Sequence, residues 1–199
     1  LNKPFIYLDS ASTSQKPQKV IDTISSYYNS YTANVHRALY SIGEKATDEY
    51  ENVRLLVKKM SNVPDSHSVI FTSCTTESIN LIASSWGLKN LKKADSVLIT
   101  EMEHHSNIIP WQLITKKTNS SLNYIPLFNN GTLNTESMNE QLLSSTRIIS
   151  ISHQSNVFGT INPIKNIIDK AKSMDILTLI DGAQAVPHLE VDLAELDSD

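Results

Sequence analysis

The chain has 199 residues, of which 40% are apolar and 19% are charged, so it is long and apolar enough to fold around a substantial core. No apolar run approaches the ~18 residues of a membrane span. The chain carries 17 basic and 21 acidic residues, for a net charge of −4, and no basic stripe. Neither a membrane nor a nucleic acid is therefore an expected partner.

Two amphipathic helices are predicted before residue 68. The first begins near Pro17, a residue that suits the first turn of a helix, and the second covers about residues 44–60. The apolar stripe of the first helix consists of Val20, Ile21, Ile24 and Tyr28. We predict a helical amino-terminal arm over residues 1–67, followed by an α/β domain over residues 68–199.

The second region alternates short β-branched runs with helical stretches. Strands buried on both faces and separated by helices indicate βα units, so the fold class is α/β with a mainly parallel sheet and helices on both faces. The predicted strands are residues 69–72, 97–100, 122–125, 148–151 and 176–180.

Polar residues follow four of these strands. In an open parallel sheet, ligands bind beyond the carboxyl ends of the strands, so these segments are expected to face one crevice. The segments are residues 73–77, 101–107, 152–156 and 181–184.

Several side chains in these segments allow two interpretations each. Thr75 and Thr76 offer hydroxyls and backbone N–H groups to a phosphate, or one of them simply caps a helix. Asp181 pairs with a protonated heterocyclic nitrogen, or it caps a turn. Asn156 and Gln184 donate to a phenolate oxygen, or they satisfy turn backbone.

The adjacent histidines His104 and His105 are also ambiguous. They are candidates for ring stacking, proton transfer or metal binding, or they are ordinary loop histidines. Because they lack the i, i+4 spacing of a helical zinc pair and no cysteine cluster accompanies them, no metal is expected.

At these positions the sequence resembles the class V, fold-type I pyridoxal-phosphate enzymes. The motif Asp181-Gly182-Ala183-Gln184 is typical of the whole class. The stretch from Met102 to Trp111 is similar to SUF-type (group II) cysteine desulfurases, and the matching stretches follow the family's order. These are residues 7–11, 35–37, 75–81, 102–111, 155–159 and 181–185.

The resemblance implies a set of residues around pyridoxal 5'-phosphate. In the family, this cofactor accepts electrons from the substrate while the protein orients and tunes it. The set comprises Thr75 and Thr76 at the phosphate, His104 as a catalytic residue stacked on the ring, Asp181 at the ring nitrogen, Asn156 and Gln184 near the phenolic oxygen, and His36 and Arg37 on the substrate side.

The implied activity is that of a homodimeric cysteine desulfurase. It converts L-cysteine to L-alanine and passes the sulfur, as an enzyme persulfide, to a SUF-type acceptor protein for iron–sulfur cluster assembly. The family's Schiff-base lysine and nucleophilic cysteine would follow Asp199, so the chain is expected to be an incomplete fold-type I large domain, inactive alone. Lys170 and Lys172 are expected in the middle of a predicted helix, away from the strand ends. Cys74 is expected to be packed under the phosphate, with too little access to accept sulfur.

Two alternatives stay open, and the compartment is undecided. The chain is also compatible with another class V enzyme, kynureninase-like or aminotransferase-like, or with a non-catalytic fragment. The single cysteine, Cys74, favours a reducing compartment. The start lacks a signal-peptide pattern, so any targeting segment is expected to have been removed. We expect a soluble protein of a bacterial-type cytoplasm or of a plastid-like, apicoplast-type organelle.

Overall fold

The structure, a computed structural model, describes residues 3–199. Its internal contacts divide the chain into two compact units, one ending at Val63 and the other beginning at Pro64. The division predicted from sequence, after residue 67, stays a prediction. Within residues 3–199, no helix has the length and apolar character needed to cross a bilayer.

The first unit contains the two predicted helices. Helix α1 spans Gln18–Ser30 and helix α2 spans Ser41–Met60. Pro17 directly precedes α1 with a φ of −57°, the value at which a proline ring favours helix initiation. The unit buries little of its apolar surface, because α1 has no buried residue and α2 has only Gly43 and Ala46.

The second unit is a parallel sheet with helices on both faces. The strand order is β2-β1-β3-β4, and every neighbouring pair is parallel, which confirms the predicted fold class. Its elements are α3 (Thr75–Ile82), a π-helical turn (Ala83–Gly87), α4 (Leu88–Asn90), β1 (Ser96–Thr100), a 3₁₀ turn (His105–Asn107), α5 (Ile109–Thr118), β2 (Ser121–Ile125), α6 (Thr135–Gln141), β3 (Thr146–Ser152), α7 (Ile164–Lys172), β4 (Leu177–Asp181) and α8 (Leu193–Leu196).

Alternating side chains of the strands build a separate core on each face of the sheet. Val97 and Ile99 pack on one face with residues of α3 and α5, including Trp111. Leu98 and Ile149 pack on the other face with residues of α6 and α7. The period of two along a strand divides neighbouring apolar residues between the two layers, which explains why these strands are apolar throughout.

One predicted strand is wrong. Residues 69–72 form no strand, although their β-branched and aromatic composition suits one. The sheet ends at β2 on one side and at β4 on the other, and it does not include this segment. Ile70 is 68% exposed, so the segment also lacks the burial that a strand of a two-faced sheet has. Composition alone cannot supply a neighbouring strand.

Strand β4 is an edge strand of the sheet, and its carboxyl end carries a site residue. Its register with β3 places Asp181 beside Ser152, at the carboxyl ends of both strands. Near the start of β4, Asp199 covers part of the edge, because its Oδ2 accepts hydrogen bonds of 3.0 Å from the backbone N–H and from the hydroxyl of Thr178.

Candidate active site

A cavity of about 780 Å³ runs along β4 and over helix α3. Its walls include every residue from 177 to 183 and the apolar side chains of Ile79, Ile82 and Trp86. Polar groups are few, and Thr75, His153 and Asp181 are among them. A large apolar cleft with a few polar groups is typical of a site for a small organic ligand.

Asp181 presents a carboxylate to this cavity. The residue is only 6% exposed, and its Oδ1 accepts a 2.9 Å hydrogen bond from the backbone N–H of Ala183. Asp181 therefore stabilises its turn through Oδ1, as the turn-cap interpretation predicts, whereas its pairing with a protonated ring nitrogen stays a prediction.

Helix α3 starts at Thr75, as the phosphate hypothesis requires. Thr75 is half-buried and lines the cavity, whereas Thr76 is exposed and does not line it. The first turn of a helix carries backbone N–H groups without intrahelical partners, and these groups favour an anion. Of the two threonines, the structure therefore brings Thr75 to the same cavity as Asp181.

Cys74 directly precedes α3, at its N-cap position. Its thiol is exposed. Hydrogen bonds from the backbone N–H of Glu77 and from the hydroxyl of Ser73 lower the pKa of this thiol. The expectation that a bound phosphate covers Cys74 stays a prediction.

His153 belongs to segment 152–156, which the sequence placed at the crevice without giving this residue a role of its own. It follows β3, it lines the cavity, and its backbone N–H donates to the carbonyl oxygen of Asp181 at 2.9 Å. Burial lowers the pKa of its imidazole, so the ring is neutral near pH 7.

His104 lies in the loop between β1 and the 3₁₀ turn, and it does not line the cavity. The 3₁₀ turn packs against α3, so the loop lies beside the helix that carries Thr75. The His104 ring is exposed, and its Nδ1 accepts a 3.2 Å hydrogen bond from the backbone N–H of Ser106. Because Nδ1 is the acceptor, a neutral ring carries its proton on Nε2.

The neighbouring Glu103 is buried. Burial raises the pKa of its carboxyl group, and hydrogen bonds from Ser152, Thr100 and Asn107 oppose that shift. The sequence reasoning gave Glu103 no role.

The structure does not bring Asn156 and Gln184 to the cavity wall. Asn156 is exposed in the loop after β3, where Ser155 accepts a hydrogen bond from the backbone N–H of Gly159. Gln184 is half-buried in the turn after β4. Their assignment to the phenolic oxygen stays a prediction.

His36 and Arg37 belong to the first unit. Both have left-handed backbones, with φ of 64° and 56°, a conformation that residues other than glycine adopt in only a few per cent of cases. His36 is held from two sides: its backbone N–H donates to the Thr47 hydroxyl at 3.0 Å, and its Nε2 lies 3.6 Å from the Glu51 carboxylate. Two consecutive strained residues, held in this way, are typical of functional segments.

Among the described residues that line the cavity, none is a lysine. Lys172 is the last residue of α7 rather than a mid-helix residue, and its Nζ lies 2.6 Å from Asp197 Oδ2. Lys170 lies in the last turn of the same helix and is exposed. The expectation that neither lysine reaches the strand ends agrees with these positions.

The sequence profile of the family described as "Aminotransferase class-V" matches residues 6–199. The chain belongs to this family. A relative from Halalkalibacterium halodurans, named a probable cysteine desulfurase, is 45% identical over 196 residues. A cysteine desulfurase from Salmonella typhimurium is 42% identical over 196 residues. In both comparisons the match covers 98% of this chain and 48% of the relative.

Solved structures of this class V family have the same fold. The apo structure of a cysteine desulfurase from Thermococcus onnurineus matches with a TM-score of 0.91 and 32% sequence identity, over 98% of this chain and 48% of that one. The fold is therefore that of a fold-type I pyridoxal-phosphate transferase. The chain spans about half the length of the curated relatives that it matches.

Members of the class V family depend on pyridoxal phosphate, and the polar groups of the cavity fit this cofactor. The start of α3, with the Thr75 hydroxyl, suits the phosphate. The carboxylate of Asp181 suits the protonated ring nitrogen, and the apolar side chains of α3 and β4 suit the ring itself.

Proposed function

We propose that the protein to which this chain belongs is a cysteine desulfurase. It converts L-cysteine and an enzyme thiol to L-alanine and an enzyme persulfide. The observation that carries the proposal is that Thr75 and Asp181 line one cavity at the carboxyl end of β4. The chain also matches proteins named cysteine desulfurase over 98% of its length.

Bound pyridoxal phosphate supplies an electron-accepting ring, and the residues of this chain hold and tune it. Thr75 binds the phosphate together with the backbone N–H groups at the start of α3, and Thr76 adds its hydroxyl. Asp181 keeps the ring nitrogen protonated through Oδ2, while Oδ1 remains bound to the Ala183 N–H. A carboxylate in this buried position forms a charge-assisted hydrogen bond, which is stronger than a neutral one.

Three further side chains complete the proposed cofactor contacts. His104 stacks on the ring as the catalytic histidine. Its neutral tautomer has the proton on Nε2, so the ring can donate at that nitrogen while Nδ1 stays bound to Ser106. Asn156 and Gln184 donate to the phenolic oxygen, and His36 and Arg37 contact the substrate.

The biological setting completes the proposal. We assign the protein to the SUF type, with a sulfur-acceptor protein as partner and iron–sulfur cluster assembly as the use of the sulfur. The stretch from Met102 to Trp111 supports this assignment through its resemblance to the SUF-type subfamily. The protein acts as a homodimer, and the Schiff-base lysine and the persulfide-forming cysteine lie outside residues 1–199.

The test is a product assay on the protein expressed from its complete reading frame. With L-cysteine as substrate, we expect alanine and persulfide sulfur in equal amounts, and loss of both when pyridoxal phosphate is removed. Formation of pyruvate and ammonia, or transfer of the amino group to an oxo acid, would contradict the proposal. The same assay on residues 1–199 alone is expected to give no alanine.

A further inference from the structure

A buried carboxylate holds the loop that carries His104. Glu103 is only 7% exposed, and each of its oxygens accepts two hydrogen bonds. Oε1 accepts from the Thr100 hydroxyl at 2.6 Å and from the Ser152 backbone N–H at 3.0 Å. Oε2 accepts from the Ser152 hydroxyl at 2.6 Å and from Asn107 Nδ2 at 2.7 Å. Glu103 therefore joins the end of β1, the end of β3 and the 3₁₀ turn.

The orientation of Asn107 is fixed by its other contacts. Its Oδ1 accepts a 3.1 Å hydrogen bond from the indole N–H of Trp111 and a 2.5 Å hydrogen bond from the Ser150 hydroxyl. An indole N–H can only donate, so the amide oxygen must face Trp111. The amide nitrogen must then face Glu103, and Asn107 cannot flip to meet a different partner.

His104 lies between these two residues in the chain, and its own contacts depend on the same turn. The backbone N–H of Asn107 donates to the His104 carbonyl oxygen at 2.7 Å, and the backbone N–H of Ser106 donates to its ring. The ring is exposed, so few packing contacts hold it in place. Its position follows from the conformation of residues 103–107, which the Glu103 hydrogen bonds define.

We propose that Glu103 is a positioning residue that holds the His104 ring in place for the cofactor. The inference rests on the proposed function for the identity of the group that His104 meets. The claim that Glu103 orders residues 103–107 rests only on the hydrogen bonds of the described residues.

A glutamine in place of Glu103 cannot satisfy this set of partners. If its amide nitrogen lies at the Oε2 position, it meets Asn107 Nδ2, which is also a donor. If it lies at the Oε1 position, it meets the backbone N–H of Ser152, which cannot turn away. Each orientation leaves two buried donors opposed, and buried unsatisfied donors are costly. Glu103→Gln therefore removes the network while changing the side-chain volume very little.

A reciprocal exchange restores the pattern. With Glu103→Gln and Asn107→Asp together, the new amide nitrogen donates to one oxygen of the new carboxylate. The other oxygen of that carboxylate still accepts from Trp111 and Ser150. The amide oxygen accepts from the Thr100 hydroxyl and from the Ser152 backbone N–H. The Ser152 hydroxyl rotates so that its oxygen accepts from the second hydrogen of the amide nitrogen. Asn107→Asp alone opposes two carboxylates and is expected to disrupt the loop.

The experiment compares the wild type, both single variants and the double variant, each made from the complete reading frame. The first measurement, without cofactor, is amide hydrogen exchange over residues 102–108. The second is the dissociation constant of pyridoxal phosphate, followed by its visible absorbance. We expect each single variant to exchange faster in this segment and to bind the cofactor at least about tenfold more weakly. The double variant is expected to return to within about threefold of the wild type.

The matched control is Ile168→Ala, a buried residue of α7 in the core that includes Met102 but none of residues 103–108. It lowers global stability but is expected to leave the exchange of residues 103–108 and the cofactor affinity unchanged.

Three outcomes would overturn the role of Glu103: wild-type exchange and affinity in Glu103→Gln, no recovery in the double variant, or equal effects in Ile168→Ala. If the wild type binds no pyridoxal phosphate, the proposed function fails, and the exchange measurement still decides whether Glu103 orders the loop.

Discussion

At the scale of single residues, Asp181 has two proposed roles: one carboxylate oxygen stabilises the turn, and the other pairs with the ring nitrogen. Asp181→Asn keeps an oxygen that accepts from the Ala183 N–H but removes the charge offered to the ring nitrogen. We expect the turn to survive and the affinity for pyridoxal phosphate to fall by roughly 10- to 100-fold, since a hydrogen bond to a charged group contributes about 1.5–3 kcal/mol. Titration of the cofactor by absorbance measures the change.

The control for this prediction is Asp175→Asn. Asp175 is exposed and has a left-handed backbone, with φ of 56°, which asparagine also adopts. The variant removes the same charge outside the cavity and is expected to bind the cofactor like the wild type. Equal affinities of Asp181→Asn and the wild type would show that the carboxylate does not meet the ring nitrogen.

The thiol of Cys74 gives a prediction about pH. Its lowered pKa arises chiefly from the Glu77 backbone N–H and then from the Ser73 hydroxyl. Only the thiolate reacts with alkylating agents, so the alkylation rate of Cys74 falls as the pH drops through this lowered pKa. We expect a rate midpoint below that of an ordinary exposed thiol, measured by iodoacetamide labelling across a pH series.

Ser73→Ala is the matched variant for Cys74. It removes the hydroxyl that lies 3.8 Å from the sulfur and leaves the backbone donor of Glu77 in place. The midpoint should therefore rise toward the ordinary value without reaching it. A midpoint that is unchanged by Ser73→Ala would show that the hydroxyl has no part in the shift.

At the scale of elements, the sequence predicted what depends on local pattern. Apolar spacing gave α1, α2 and α7, and β-branched runs gave four of the five proposed strands. The error at residues 69–72 has a different origin, since a strand exists only where a neighbour pairs with it, and no local pattern contains that neighbour.

For the site residues as well, the sequence predicted only what depends on local pattern. Thr75 and Asp181 follow from their places at a helix start and a strand end. Glu103 and Ser152 are 49 residues apart in sequence, so their hydrogen bonds depend on the order of strands in the sheet. The place of His153 at the crevice follows from its position after β3, whereas its hydrogen bond to Asp181 depends on the register between β3 and β4.

Helix α5 allows a direct test of the core on its face of the sheet. Ile114 is 5% exposed in that core, whereas its neighbour Leu113 is 54% exposed. We expect Ile114→Ala to lower the free energy of unfolding by about 2–5 kcal/mol and Leu113→Ala to change it by no more than about 0.5 kcal/mol. Urea denaturation measures both. Similar losses for the two variants would show that α5 is rotated about its axis relative to the structure described above.

At the scale of the whole molecule, much apolar surface stays exposed within the described chain. The largest exposed fractions include Leu39 at 96%, Leu8 at 89% and Phe5 at 88%, all in the first unit. The stripe of α1 belongs to the same set: Ile21 is 46% exposed and Ile24 is 53% exposed. The apolar side chains of α1 lie on one face of the helix, and an exposed apolar patch marks a site of association.

The stripe of α1 therefore carries the last prediction, which concerns self-association. An amphipathic helix gains stability when its apolar face is buried against another surface. We expect residues 1–199 to associate as the concentration rises, and Ile24→Glu to weaken that association about tenfold or more, because a buried isoleucine contributes about 1.5–3 kcal/mol. Sedimentation velocity over a range of concentrations measures the change.

Thr23→Glu is the control, because Thr23 is the neighbouring residue on the same helix, is exposed, and donates its hydroxyl only to the Lys19 carbonyl within α1. The variant adds the same charge beside the stripe and should associate like the wild type. Circular dichroism should show equal helix content for both variants, so that a difference in association reflects the surface rather than the fold. If Ile24→Glu and Thr23→Glu sediment alike, the stripe of α1 is not the surface through which the chains associate.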